Sequence, residues 1–86
     1  MAAAKQSKWI RDPHKQRKSE GLNQIAFWSR FGITQSGGSR YESGRAIPLP
    51  IAILMTLMEQ GAISEDELAR ARASALVTLK AQKGKA

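Results

Sequence analysis

Side chains able to do covalent or metal chemistry are nearly absent from this sequence. It contains no cysteine, which excludes disulfides, thiolate zinc sites and a catalytic thiol. Its one histidine, His14, lies in a charged segment and cannot hold a metal by itself. No acid pair and no phosphate-cradling loop is placed for catalysis. We therefore expect no enzyme activity, no metal and no cofactor, which leaves the charge and hydrogen bonding of a binding surface.

Positive charge dominates that remaining chemistry. The 86 residues include 14 basic and 7 acidic side chains, for a formal net charge of +7. Residues 1–22 carry six basic and two acidic groups, residues 23–63 three and two, and residues 64–86 five and three. A small basic chain favours a polyanionic partner such as DNA, RNA or an anionic membrane, although solubility alone can also account for such a charge.

Both ends of the chain carry the basic excess, and residues 1–11 read as a flexible basic arm. In this arm Lys8 and Arg11 flank Trp9 and Ile10. We expect Lys8 and Arg11 to contact DNA phosphates, and the alternative is a disordered tail that only keeps the protein soluble.

No segment reads as a secretory signal or a membrane span. Charged residues appear before any apolar run can form at the start of the chain. The longest apolar segment, residues 47–58, contains two prolines and is far shorter than the roughly 20 residues that a span requires. The sequence therefore predicts a cytoplasmic protein.

Apolar residues at helical spacing, together with capping and stop signals, predict an all-α protein of four to five short helices. Suitable N-caps precede the helical patterns at Asp12, Asn23 and Thr34, and Ser64 with Glu67 forms a capping box. The predicted helices cover residues 13–20, 24–31, 35–43, 50–60 and 65–80. No strand pattern appears.

Two adjacent glycines interrupt the third predicted helix. Gly37 and Gly38 lie inside it, where each costs roughly 0.5–1 kcal/mol relative to alanine. Such a cost at two successive positions calls for a packing or binding reason.

Residues 21–45 resemble the helix-turn-helix of the Cro/CI (XRE) family of phage, plasmid and bacterial regulators. The matching segments are GLNQ at 21–24, GITQ at 32–35 and SRYESGR at 39–45, without insertions between them. The resemblance implies a lambda-repressor-like DNA-binding domain over residues 12–63, in a small stand-alone regulator of the phage or plasmid type. Phe27, Phe31, Ile33 and Tyr41 would form the small core that fixes the angle between its two central helices.

The same resemblance implies which side chains meet the bases. Gln35, Ser36 and Arg40 match the family's base-contacting positions, and Ser39 is a lesser candidate. Gln35 can pair bidentately with adenine and Arg40 with guanine, and each pair could give about 1–3 kcal/mol of discrimination. The alternatives are a solvated amide for Gln35, and a phosphate contact or a salt bridge with Glu42 for Arg40.

Other residues match backbone-contacting and structural positions of the family. Asn23 and Gln24 match positions that bind phosphate at the start of a helix, although Asn23 also suits simple capping. Ser43 and Arg45 lie where the family again contacts the DNA backbone, and the alternative for Arg45 is a plain surface residue. Glu42 matches a structural acid of the family, and Arg17 lies at the matching position to pair with it.

The sequence departs from the family's pattern at the crossing of the two central helices. Trp28 occupies a position that is normally alanine, and Gly38 one that is normally isoleucine or valine. The large and small residues are exchanged, so Trp28 could fill the space that Gly38 vacates. Gly37 has no such account beyond close approach to DNA.

Because the first helix has few apolar residues, we expect Trp9 and Ile10 to fold back onto the core, the alternative being that Trp9 contacts DNA.

Residues 64–86 are expected to form a C-terminal dimerisation helix with a frayed basic tail. Leu68, Ala75, Leu76 and Leu79 lie along one side of it, although these leucines could instead cap the monomer core. One recognition helix reads few base pairs, so the resemblance implies a homodimer on a palindromic operator.

The sequence thus favours a sequence-specific transcriptional repressor of double-stranded DNA, with no small-molecule effector evident and located on the nucleoid when bound. Three alternatives stay open: the antitoxin of a toxin–antitoxin pair, a transcriptional activator, and a protein that coats nucleic acid without specificity.

Overall fold

A computed structural model describes residues 6–83, and within these residues the chain forms six α-helices and no strand. The helices are α1 (Lys8–Arg11), α2 (Pro13–Ser19), α3 (Gln24–Ser29), α4 (Gln35–Glu42), α5 (Leu49–Glu59) and α6 (Glu65–Lys83). The all-α class is confirmed, and α2 to α6 correspond to the five predicted helices. None of the described helices is both long and apolar enough to span a membrane.

The predicted caps explain where these helices begin. The side chains of Asp12, Asn23 and Thr34 accept hydrogen bonds from the backbone N–H three residues later, at 2.8 to 3.1 Å. Before α6, the capping box is reciprocal. The Glu67 N–H donates to Ser64 Oγ at 3.0 Å, and the Ser64 N–H donates to Glu67 Oε1 at 2.8 Å.

Two glycines allow the sharp turns on either side of α4. Gly32 has φ +75° and Gly44 has φ +114°, values that residues with a side chain rarely adopt. Beyond each glycine the chain closes the preceding helix: the Ile33 N–H donates to the Trp28 carbonyl at 3.1 Å, and the Arg45 N–H to the Arg40 carbonyl at 3.0 Å. These turns let α4 leave α3 at once and stop where Glu42 meets α2.

An aromatic cluster on α3 forms the centre of the core. Phe27 and Trp28 are fully buried and Phe31 nearly so, and their rings meet edge to face with centroids 5.1 to 6.5 Å apart. Ile33 and Tyr41 pack against this cluster, as expected for the small core of a helix-turn-helix. Met55 of α5 completes the buried layer.

The N-terminal segment differs from the flexible arm expected over residues 1–11. Residues 1–5 lie outside the described residues, but Ser7 caps α1 and donates its hydroxyl to the Glu59 carboxylate at the end of α5. The Lys8 N–H donates to the second oxygen of Glu59 at 3.1 Å. Trp9 and Ile10 pack against the core. The expectation of an arm is therefore wrong for residues 7–11, because apolar burial and this carboxylate hold them to α5.

Of the four residues expected to form the dimer contact, Leu68 is the one that is buried in the core of its own chain. Its side chain is buried in the core cluster, whereas Ala75, Leu76 and Leu79 are exposed. Every residue from Ala69 to Gln82 is exposed. The monomer core therefore takes Leu68, and the rest of α6 extends beyond it.

Trp28 explains the glycine at position 38. An ideal Cβ on Gly38 would lie 2.2 Å from Trp28 Cδ1 and 2.4 Å from Trp28 Cγ, so no side chain fits while the indole is in place. At Gly37 a Cβ would lie 3.0 Å from the Ile33 Cγ2 methyl, a tight contact with the tip of a side chain. The two glycines therefore face very different constraints.

We predict that Gly38→Ala lowers the free energy of unfolding by about 1–3 kcal/mol, because the buried indole cannot move away. Gly37→Ala is the matched control and should stay within about 1 kcal/mol of wild type, since its gain in helix propensity offsets a small shift of Ile33. In a Trp28→Ala background, Gly38→Ala should cost nothing. Urea denaturation of wild type, Gly38→Ala, Trp28→Ala and the double variant measures this coupling, and an equal cost of Gly38→Ala in both backgrounds would contradict it.

Candidate nucleic-acid interface

The outward face of α4 carries the side chains expected to read bases. Gln35 and Ser36 lie in its first turn and Arg40 one turn later, and all three are exposed. Ser39 is half-buried, and its carbonyl accepts a hydrogen bond from Ser43 Oγ at 2.9 Å. The arrangement presents amide, hydroxyl and guanidinium groups along one short helix, which is the chemistry that base edges in the major groove require.

The C-terminal end of α4 is held in place by the carboxylate of Glu42, its last residue. Its side chain is only 5% exposed. Arg17 of α2 donates to it twice, from Nε at 2.9 Å and from Nη2 at 3.0 Å. The expected pair of Arg17 and Glu42 is thus a bidentate contact between α2 and α4. Arg17 Nη1 also donates to the Leu22 carbonyl at 2.9 Å, in the turn before α3.

Three further side chains converge on the same carboxylate. Trp28 Nε1 donates to Glu42 Oε2 at 2.7 Å, and Gln24 Nε2 donates to Oε1 at 3.3 Å. His14 Nδ1 lies 3.0 Å from Oε1 and 3.2 Å from Arg17 Nη2, so it has both an acceptor and a donor within reach. Glu42 therefore joins α2, α3 and α4 at one point.

These donors determine the ionisation of Glu42. Burial by itself would raise the pKa of this carboxyl, but the hydrogen bonds from Arg17, Trp28, His14 and Gln24 outweigh it and lower the pKa from 4.5 to about 2. The group is therefore an ionised carboxylate throughout the physiological pH range, and its charge is neutralised within the fold.

Glu42 pairs with Arg17 and does not form an ion pair with Arg40. Within residues 6–83 Arg40 takes part in no ion pair, so the salt bridge considered for Arg40 and Glu42 is wrong. The guanidinium of Arg40 is exposed on the outward side of α4. It remains available to a ligand.

The residues expected to contact phosphate lie in three segments: at the start of α3, in the turn after α4 and in α1. Asn23 is exposed while its side-chain oxygen caps α3, and Gln24 is half-buried with its amide nitrogen on Glu42. Ser43 and Arg45 are exposed in the turn after α4. Two further candidates, Lys8 and Arg11, have exposed side chains in α1. Arg11 lines an open cleft together with Gly44 and Arg45.

Sequence reasoning missed two features of this region. The indole of Trp28 was expected to fill space, but its hydrogen bond to Glu42 makes it part of the ion-pair cluster. A buried tryptophan needs an acceptor for its N–H, and that requirement was a usable signal. Arg30, at the end of α3, was not singled out, and nothing in its local sequence indicates its partners.

The fold and this presented face define a helix-turn-helix regulator. A family model described as "RsaL-like HTH domain" matches residues 14–58, and the chain belongs to this family. A solved structure of the quorum-sensing repressor RsaL of Pseudomonas aeruginosa is similar, with a TM-score of 0.64 and 42% sequence identity. The match covers 69% of this chain and 87% of that chain. No curated protein sequence matches significantly. The helix-turn-helix class expected from the sequence is confirmed.

The lowered pKa of Glu42 predicts a specific loss of stability in acid. Glu42 stays ionised in the folded state down to about pH 2 but protonates near pH 4.5 when unfolded, so its stabilisation is complete above about pH 5.5 and declines between about pH 4.5 and 2. Glu42→Gln, which mimics the protonated group, should therefore lower the free energy of unfolding by about 3 kcal/mol at pH 6.

Denaturant titrations of wild type and Glu42→Gln at a series of pH values measure this difference. The gap between the two proteins should shrink steadily as the pH falls from about 4.5 to 2. Asp66→Asn, on an exposed carboxylate of α6, is the control and should show little gap at any pH. A gap for Glu42→Gln that does not change with pH would contradict the assignment.

Proposed function

We propose that this protein is a transcriptional repressor that binds double-stranded DNA through α4 and blocks access to a promoter. The observation that carries the proposal is the exposed row of Gln35, Ser36 and Arg40 on a helix whose inner side is anchored by Glu42 and Gly38. Such a helix can enter the major groove without rearranging. The similarity to the repressor RsaL supports repression as the outcome.

Base recognition is assigned to the outward face of α4. Gln35 pairs with adenine and Arg40 with guanine, and Ser36 and Ser39 contribute single hydrogen bonds. Phosphate contacts come from residues beside α4, where Arg45 and Arg11 border one cleft. The other residues assigned to phosphate are Asn23, Gln24, Ser43 and Lys8.

The protein acts as a homodimer on a palindromic operator. The exposed residues Ala75, Leu76 and Leu79 of α6 supply the apolar contact between two copies. The match of GLNQ, GITQ and SRYESGR to the Cro/CI pattern supports a docking of the Cro/CI type, in a small regulator of the phage or plasmid kind. Binding takes place on the nucleoid in the bacterial cytoplasm.

Selection of bound duplexes from random DNA tests this function directly. We expect enrichment of a palindromic motif whose two halves are separated by about one helical turn. In competition with random DNA at fixed salt, the selected site should bind about 10³-fold more tightly or better. Equal binding to all sequences would contradict the proposal and leave a protein that coats nucleic acid.

Three single variants should separate base reading from phosphate contact. Arg40→Ala should relax the preference at one base position per half-site, at a cost of about 1–3 kcal/mol. Lys8→Ala should weaken binding to all sequences alike and reduce the salt dependence by about one phosphate contact per protomer. Arg70→Ala removes a cation of α6 that pairs with Asp66, and it should change neither quantity. Unchanged base preference in Arg40→Ala would reject its assigned role.

A further inference from the structure

Within residues 6–83, the buried and charged contacts of α6 with the rest of the protein lie in its first turn. Leu68 is buried in the core and Glu65 is bonded to Arg30, whereas every residue from Ala69 to Gln82 is exposed. The direction in which this helix leaves the domain is therefore determined near residues 65–68.

Arg30 is the charged group at this attachment. Its guanidinium donates to both carboxylate oxygens of Glu20, at 3.1 and 3.3 Å, and to Glu65 Oε1 at 2.7 Å. Arg30 Nε donates to the Phe27 carbonyl at 3.2 Å. These bonds join the end of α2, the end of α3 and the start of α6.

Aromatic rings restrain the same guanidinium. Its central carbon lies 4.7 Å from the ring centroid of Phe27, 5.3 Å from that of Phe31 and 5.9 Å from that of Trp9. The Arg30 side chain is only 13% exposed. A planar guanidinium can stack on rings while it donates in its own plane, which a lysine ammonium cannot do. Arg30 is thus a fixed point to which Glu65 attaches.

The length of α6 amplifies any change at this point. At 1.5 Å per residue, Leu79 lies about 20 Å along the helix from Glu65. A swing of about 10° at the attachment would therefore displace Leu79 by about 3.5 Å, close to the 3.4 Å between successive base pairs.

We propose that the contact between Arg30 and Glu65 sets the spacing between the two DNA half-sites that a dimer accepts. The inference rests on the proposed dimerisation through α6: when Leu76 and Leu79 of two copies are joined, the angle at each Arg30 determines how far apart the two α4 helices lie. Arg30 and Glu65 are positioning residues, since neither contacts the bases. A rigid attachment makes the protein selective for one spacing, and a loosened attachment makes it tolerant.

The test measures binding to palindromes with the selected half-site and spacers lengthened or shortened by one or two base pairs. Wild type should lose about tenfold in affinity or more for each wrong spacer. Glu65→Gln removes the charged contact with Arg30, and its loss for the same spacers should fall to about threefold or less. Its preferred half-site sequence should be unchanged, because α4 is untouched.

Asp66→Asn is the matched control. It removes a carboxylate from the same turn of α6, but Asp66 pairs with Arg70 and does not contact Arg30. It should keep the wild-type spacer profile. Arg30→Lys, which keeps the charge but loses the planar fork, should broaden the profile as Glu65→Gln does.

Two failures can be told apart. If Glu65→Gln keeps the sharp wild-type profile, the positioning role is wrong and the dimer stands. If wild type itself binds single half-sites as a monomer in sedimentation experiments, with no preference for spacing, dimerisation is wrong and the inference fails with it. A thermal melt of each variant verifies that the domain is folded.

Discussion

The fold of the DNA-binding unit depends on one buried carboxylate. Moving a carboxylate out of water costs several kcal/mol unless charges and donors replace the lost hydration. Here Arg17, Trp28 and Gln24 donate to Glu42 from α2 and α3, with His14 also within hydrogen-bond distance. The donors can satisfy Glu42 only when the three helices have their native arrangement. The carboxylate thereby specifies the angle at which α4 is presented.

The exchange of large and small residues between α3 and α4 also helps to satisfy this buried carboxylate. A tryptophan at position 28 fills the crossing, so position 38 has room for hydrogen alone. That choice costs helix propensity in α4, by about 1 kcal/mol at Gly38. In return the indole N–H reaches Glu42, and the buried ring leaves no unsatisfied polar atom. Packing and electrostatics at this crossing are therefore coupled through one side chain.

The C-terminal helix follows a different principle. Among residues 65–82 it contributes a single buried side chain, Leu68, and the others are exposed. A long helix that packs so little on its own domain gains most from a partner, since isolated helices are marginal in water. Its attachment is nevertheless well defined, because the Arg30 guanidinium is held by two carboxylates and an aromatic cluster. The protein thus combines a rigid reading unit with an extended helix of fixed direction.

The sequence by itself determined helices α2 to α6, the caps of α2, α3, α4 and α6, and the helix-turn-helix, because capping residues, glycine turns and apolar spacing act over a few residues. It also indicated the pairing of Arg17 with Glu42 and the match of Trp28 to Gly38, through the resemblance of residues 21–45 to a known pattern. Only the tertiary structure decided that residues 7–11 pack on α5, that Leu68 belongs to the monomer core, and that Arg30 joins three helices. Each of these depends on partners 10 to 52 residues away in the chain. Local patterns carry no information about such distant contacts, so the packed chain alone determines them.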